Sequence, residues 1–137
     1  MTMRSALGTQ ASVKAAKVIT YSEPLANCVV QAHACAEACT VCADACLSEP
    51  NVRSLRQCIR RTLDCADICM TVATIASRRT GDNLAATRAL LQACAIACQV
   101  CAEECDHHGR VHDHCRICAE ACTACANACR AAMTMVH

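Results

Sequence analysis

The stretch CRICAEACTACANAC, residues 115–129, sets cysteine at Cys115, Cys118, Cys122, Cys125 and Cys129. The steps are 3-4-3-4. One face of an α-helix recurs in this way, because a turn takes about 3.6 residues. Two other stretches keep the same beat: CAEACTVCADAC, with Cys35, Cys39, Cys42 and Cys46, and CAIACQVCAEEC, with Cys94, Cys98, Cys101 and Cys105. Leucine ordinarily holds such positions in a helical bundle. Here the stripe that turns to the core is thiol. The three stretches resemble one another and form an internal repeat of helical units. Alanine between the cysteines lets helices approach closely. Glu37, Asp44, Glu103, Glu120 and Arg130 fall off the stripe, toward water.

Working outward, Glu23-Pro24 opens a helix over about 24–47, with proline in the first turn where its missing N–H is harmless. That helix also carries Cys28, and its five cysteines fall within about 60° of arc. Ser48-Glu49-Pro50 breaks it. A second helix, about 51–78, puts Cys58, Cys65 and Cys69 on one stripe that Val72 and Ala76 continue. Thr80-Gly81-Asp82 is a turn with Gly81 as C-cap, and Asp82 or Asn83 caps a third helix over about 83–107. His107-His108-Gly109 ends it, and a fourth runs over about 111–134. Four long helices on short links predict an all-α, antiparallel up-down four-helix bundle over 24–137. Residues 1–23 form a separate N-terminal segment, with a short helix expected over 11–21. In this topology the 48–50 and 106–114 links share one end, which gathers His107, His108, His112 and His114. His33 lies about 140° from its cysteine stripe, on the surface.

Composition narrows the class. The chain has 137 residues, enough for one domain, with a formal net charge of +1, which gives no footprint for nucleic acid or an anionic membrane. Tyr21 is the only aromatic residue, so something other than ring bulk fills the core. Seventeen cysteines invite a disulfide reading. Against it, the number is odd, and cysteines at i and i+4 on a helix run their Cβ vectors side by side. The N-terminus lacks the continuous apolar region of a secretory signal. No uncharged run of about 18 apolar residues predicts a membrane span. The expectation is a cytoplasmic protein with reduced thiols.

A thiol lane binds soft metals: Cu(I), Zn(II) or iron–sulfur clusters. Charge separates the candidates, since buried anions need neutralising. A four-thiolate Zn(II) site keeps two negative charges, and stacked copies would repel. Cu(I) at about one ion per thiolate leaves the lane near neutral, because a thiolate can bridge two ions. Seven i,i+4 pairs could each supply a two-coordinate site from one helix, with CxxC pairs linking them into a ladder. Iron–sulfur clusters take other spacings, usually from loops. All seventeen cysteines are therefore candidate ligands. Zn(II) or other soft-metal buffering by the same thiolates is the alternative. A redox enzyme would place its CxxC at a helix start beside a strand, and a ferritin-like oxidase needs inward Glu and Glu-x-x-His. Neither pattern is present, and no catalytic residue is expected.

CADACLSE (42–49), CIRRTLDCADIC (58–69), LLQACAIACQVCAEEC (90–105) and HDHCRICAEACTACANAC (112–129) together resemble the cytosolic bacterial copper storage proteins. The resemblance covers about 25–130. It implies a four-helix bundle whose cysteine-lined interior holds many Cu(I) ions, and a homotetramer. It also implies histidines at one mouth, and the matching positions are His108, His112 and His114. These histidines read either as polar residues on a solvated end or as a path passing Cu(I) inward. His107 points about 100° away from His108. Met133 reads as core rather than as a thioether ligand, and Asp64 as a surface charge.

Overall fold

The computed structural model describes residues 23–135. Its elements are α1 (Glu23–Leu47), a 3₁₀ turn (Val52–Leu55), α2 (Arg56–Ala76), α3 (Leu84–Asp106) and α4 (Asp113–Met133). The short helix expected over 11–21 lies outside the described residues. Neighbours in the chain are neighbours in space, and α4 closes the ring against α1, so four antiparallel helices surround one interior. The four-helix bundle expected from the cysteine stripes is the fold.

The helix ends depart from the sequence reading in instructive ways. The second helix does not begin at 51. Ser54 donates its N–H and its hydroxyl to the Asn51 carbonyl (3.0 and 2.8 Å), and Asn51 Nδ2 donates back to Ser54 Oγ (3.0 Å). These local bonds tighten the chain into a 3₁₀ turn before α2 starts. At the other end α2 stops at Ala76, short of Gly81, so glycine is not its cap. Asn83 does that work from across the link, donating Nδ2 to the carbonyls of Ile75 (3.1 Å) and Arg78 (3.2 Å). Asn83 also precedes α3, as expected, but makes no side-chain bond to that helix.

The interior is sulfur along most of its length. All seventeen cysteines are buried with no measurable exposure, and all are free thiols. The end holding the start of α1 and the end of α2 is different: Leu25, Val72, Ala76, Leu91 and Ala132 gather there, with Met133 packed against them. This hydrocarbon plug closes the lane. Met133 is therefore core, as read. α3 is long and apolar enough to cross a membrane by length and composition. Its apolar content is mostly alanine and cysteine, and it turns Leu91, Cys94, Ala95, Cys98, Cys101, Ala102 and Cys105 into the bundle.

Candidate metal centre

Each helix delivers its thiols through the stripe already described, and facing stripes bring the sulfurs within hydrogen-bonding contact. Twelve cysteines form one connected network at 3.5–4.0 Å. They are Cys35, Cys39, Cys58, Cys65, Cys69, Cys94, Cys98, Cys101, Cys105, Cys118, Cys122 and Cys125. Cys28 and Cys129 pair at 3.5 Å near the plug. Cys42, Cys46 and Cys115 contact one another at the opposite end, and Cys42 also interacts with Cys58, Cys105 and Cys118 of the network.

Six of the seven i,i+4 pairs make a sulfur contact, each at 3.9 Å. None of the CxxC pairs does. Residues at i and i+3 lean to opposite sides of a stripe, and the gap between them is filled from a facing helix. The rungs of the ladder are thus interhelical: Cys35 to Cys122 at 3.7 Å, Cys65 to Cys98 at 3.6 Å, Cys118 to Cys39 at 3.6 Å. Four-sulfur groups with all donors within 4.8 Å of one another draw on three helices each, for example Cys35, Cys65, Cys69 and Cys98, or Cys39, Cys101, Cys118 and Cys122. With metal–sulfur bonds of about 2.3 Å, trigonal or tetrahedral coordination needs sulfurs roughly 4 Å apart. The lane offers that spacing. A linear two-sulfur site needs about 4.6 Å on the same bond length, so single-helix pairs would have to spread.

The open end adds nitrogen. His114 Nδ1 lies 3.6 Å from the sulfur of Cys42, 3.8 Å from Cys46 and 3.5 Å from Cys115, and the four donors form one candidate site. Its Nε2 donates to Glu49 Oε2 at 3.0 Å. His112 Nδ1 is 3.0 Å from the same oxygen, and the two rings stack with centroids 5.1 Å apart. His108 Nε2 meets Glu104 Oε2 at 3.2 Å, one turn back on α3. The three histidines named from the sequence are brought to one mouth, but only His114 touches thiols. His33 and His107 are exposed, as is Asp64. Glu49 was visible in the sequence only as part of a helix stop. Its partner His114 is 65 residues away, and no periodicity carries a signal over that distance.

Charge at the mouth is polarised. Burial pushes the Cys46 thiol up to about 11, with the charge of Cys42 adding to it. Burial, then the charges of Cys42 and Cys46, raises Cys115 as well. Cys42 moves the other way: hydrogen bonds from Cys105, Cys118 and Cys58 favour its thiolate over the cost of burial, and His114 helps. Burial works against a charge on His114, but its hydrogen bonds to Cys42 and Glu49 outweigh this and raise its pKa. Glu49 is lowered, first by the His114 hydrogen bond. Cys42 is therefore the thiol at the mouth most ready to ionise.

The family model for copper storage proteins matches residues 21–134. The chain belongs to the copper storage protein family. Among solved structures it is similar to a cytosolic copper storage protein from Streptomyces lividans described with five coppers, at 51% identity and a TM-score of 0.80 over 82% of this chain and 93% of that one. The Streptomyces lividans protein loaded with 10 copper equivalents matches with the same identity and TM-score over 82% of this chain and 85% of that one. A Cu(I)-bound copper storage protein, BsCsp3, matches at 32% identity and a TM-score of 0.71, covering 84% of this chain and all of that one. No curated protein matches the chain.

Proposed function

We propose that this protein is a cytosolic, high-capacity store for Cu(I), holding many ions on the thiolates of its interior lane and performing no catalysis. The observation that carries this reading is the connected network of buried, reduced sulfurs at metal-sharing distances. Family membership and the copper-loaded Streptomyces lividans relatives support it. The ligands are the seventeen cysteines and, at the mouth, His114, with His112 and His108 on the way in. Homotetrameric assembly is part of the proposal, and it is consistent with Val30 and Val41 standing exposed on the outer face of α1.

Anaerobic Cu(I) titration against a competing chelator tests this. Many ions per chain are expected, and saturation at one or two would reject storage. Zinc buffering is the second reading, favoured by the four-sulfur groups that suit a tetrahedral ion. The groups share members, however: Cys35, Cys39, Cys65, Cys69, Cys98 and Cys122 each stand in two of them. Filling adjacent groups with Zn(II) accumulates negative charge in a dry interior. Zinc should therefore saturate at a few ions and be displaced by Cu(I).

Loading should leave the helices as they are. The protonated thiols already pack as an apolar core, so metal replaces protons without folding the chain. Far-UV circular dichroism is expected to change little from apo to full, with about one proton released per thiolate used. A coil-to-helix transition on loading would contradict this.

A further inference from the structure

Glu49 sits in the link after α1, its N–H bonded to the Cys46 carbonyl at 3.2 Å. This places its carboxylate just beyond the last thiol of α1. A single oxygen, Oε2, accepts the hydrogen bond from His114 Nε2 and lies 3.0 Å from His112 Nδ1. His112 is fixed from the other side as well. It is the N-cap residue of α4, its N–H bonded to the His108 carbonyl at 2.9 Å and its carbonyl accepting from Cys115 N at 3.1 Å.

A carboxylate offers only lone pairs, so each ring nitrogen facing it carries hydrogen, and in a neutral imidazole the other nitrogen is bare. The bare atom differs between the two rings. In His114 it is Nδ1, which faces the sulfurs of Cys42, Cys46 and Cys115: in the charged ring this nitrogen donates to the Cys42 thiolate, and it is bare once the ring is neutral. In His112 it is Nε2, a buried atom with no hydrogen-bond partner among the described residues. The side chain of His112 is only 10% exposed. Buried polar atoms are nearly always satisfied, and a bare imidazole nitrogen kept that way is a vacant donor for a soft cation. The carboxylate itself is a hard ligand poorly suited to Cu(I), so its contribution runs through the rings.

We propose that Glu49 is a positioning residue of the uptake path: one carboxylate holds His112 and His114 in opposite tautomers, so that both rings present a bare nitrogen to an incoming Cu(I) ion. The proposal rests on the storage reading. Of the two nitrogens, His114 Nδ1 is the donor that lies beside Cys42, and His112 Nε2 is a second nitrogen donor at the same mouth. An outer partner of this kind fixes ring orientation and ligand basicity, and losing one costs about 10–100-fold in metal affinity or activity.

Two measurements test it. Long-range proton–nitrogen correlation spectra of the ¹⁵N-histidine-labelled apo protein, recorded at a pH where both rings are neutral, should show His112 protonated on Nδ1 and His114 on Nε2. Glu49→Ala should abolish this opposition, and transfer of the first equivalents from a Cu(I)–chelator complex should slow about tenfold or more. Glu49→Gln keeps an amide oxygen that can accept from both rings, so it should recover part of the rate. A wild-type His112 carrying its hydrogen on Nε2 would overturn the proposal, as would unslowed loading of folded Glu49→Ala. The wild-type spectrum decides even where a variant does not fold. Saturation of the wild type at one or two ions would sink the storage reading instead, leaving the tautomers as measured.

Discussion

In a Cys35→Ala protein, Cu(I) loading is expected to become biphasic, with the half of the lane beyond Cys35 filling about an order of magnitude more slowly than in the wild type. The reason lies in how the twelve-sulfur network is joined. On the mouth side, Cys39, Cys58, Cys101, Cys105, Cys118 and Cys122 contact one another. Toward the plug, Cys65, Cys69, Cys94, Cys98 and Cys125 do the same. The sulfur hydrogen bonds of 4.0 Å or less between the two sets pass through Cys35, which meets Cys39 at 3.9 Å and Cys122 at 3.7 Å on one side, and Cys65 at 3.9 Å and Cys98 at 4.0 Å on the other, while the longer crossing from Cys65 to Cys39 and Cys122 lies within 4.8 Å. An ion moving inward exchanges one thiolate for the next, so it needs both within reach. Without the Cys35 sulfur the next donor is farther away, and a tenfold slowing corresponds to about 1.4 kcal/mol of added barrier. Cys118→Ala is the control: it removes one thiol but leaves both sets joined. Stopped-flow loading of the two variants side by side checks the result. Single-phase filling of Cys35→Ala at the wild-type rate would show that the lane does not conduct through this residue.

The second large effect is alkaline. The apo protein is expected to unfold as pH rises from about 9 toward 11, while the copper-loaded protein keeps its helices. In an unfolded chain a thiol titrates near 8.5. In the fold, burial pushes Cys46 up to about 11 and raises Cys115. Below the unfolded value both states hold these protons, and the stabilisation is fully present. Above it the unfolded chain sheds protons that the fold retains, so stability falls with pH until the folded thiols ionise too. Each thiol still protonated only in the fold costs about 1.4 kcal/mol per pH unit, and domains of this kind have roughly 5–15 kcal/mol in total. A few such thiols exhaust it. Copper removes the liability, because the bound thiolates are already deprotonated and neutralised. Anaerobic circular dichroism against pH, with and without Cu(I), measures both curves. An apo fold intact at pH ~12 would refute the expectation.

Much of this molecule is legible in the chain because its signal is periodic. A cysteine every three or four residues names the helices, the buried face and the lane together. The link pairing follows from topology and brings His108, His112 and His114 to one mouth before any coordinate is known. What periodicity cannot carry is the choice of partner across helices. CxxC looks like a rung because its members are close in sequence, yet the rungs run from Cys35 to Cys122 and from Cys65 to Cys98. Thr62 shows a second limit. It occupies a stripe position between Cys58 and Cys65, fully buried, its hydroxyl bonded to the carbonyls of Cys58 and Ile59 at 2.9 Å. Read as a sequence, it is a missing cysteine. Glu49 and Asn83 show a third, since each serves an element other than its own through a side chain whose aim only the packed links define.

The plug of Leu25, Val72, Leu91 and Ala132 leaves the lane a cul-de-sac. Traffic in such a channel is ordered like a stack of plates. The ions that arrive last are the first that a cellular acceptor can reach, and those lodged deepest leave only after everything above them has gone. A modest withdrawal would sample the region beside His114 and leave the innermost ions undisturbed, so one protein would behave as a quickly exchanging pool over a slow reserve.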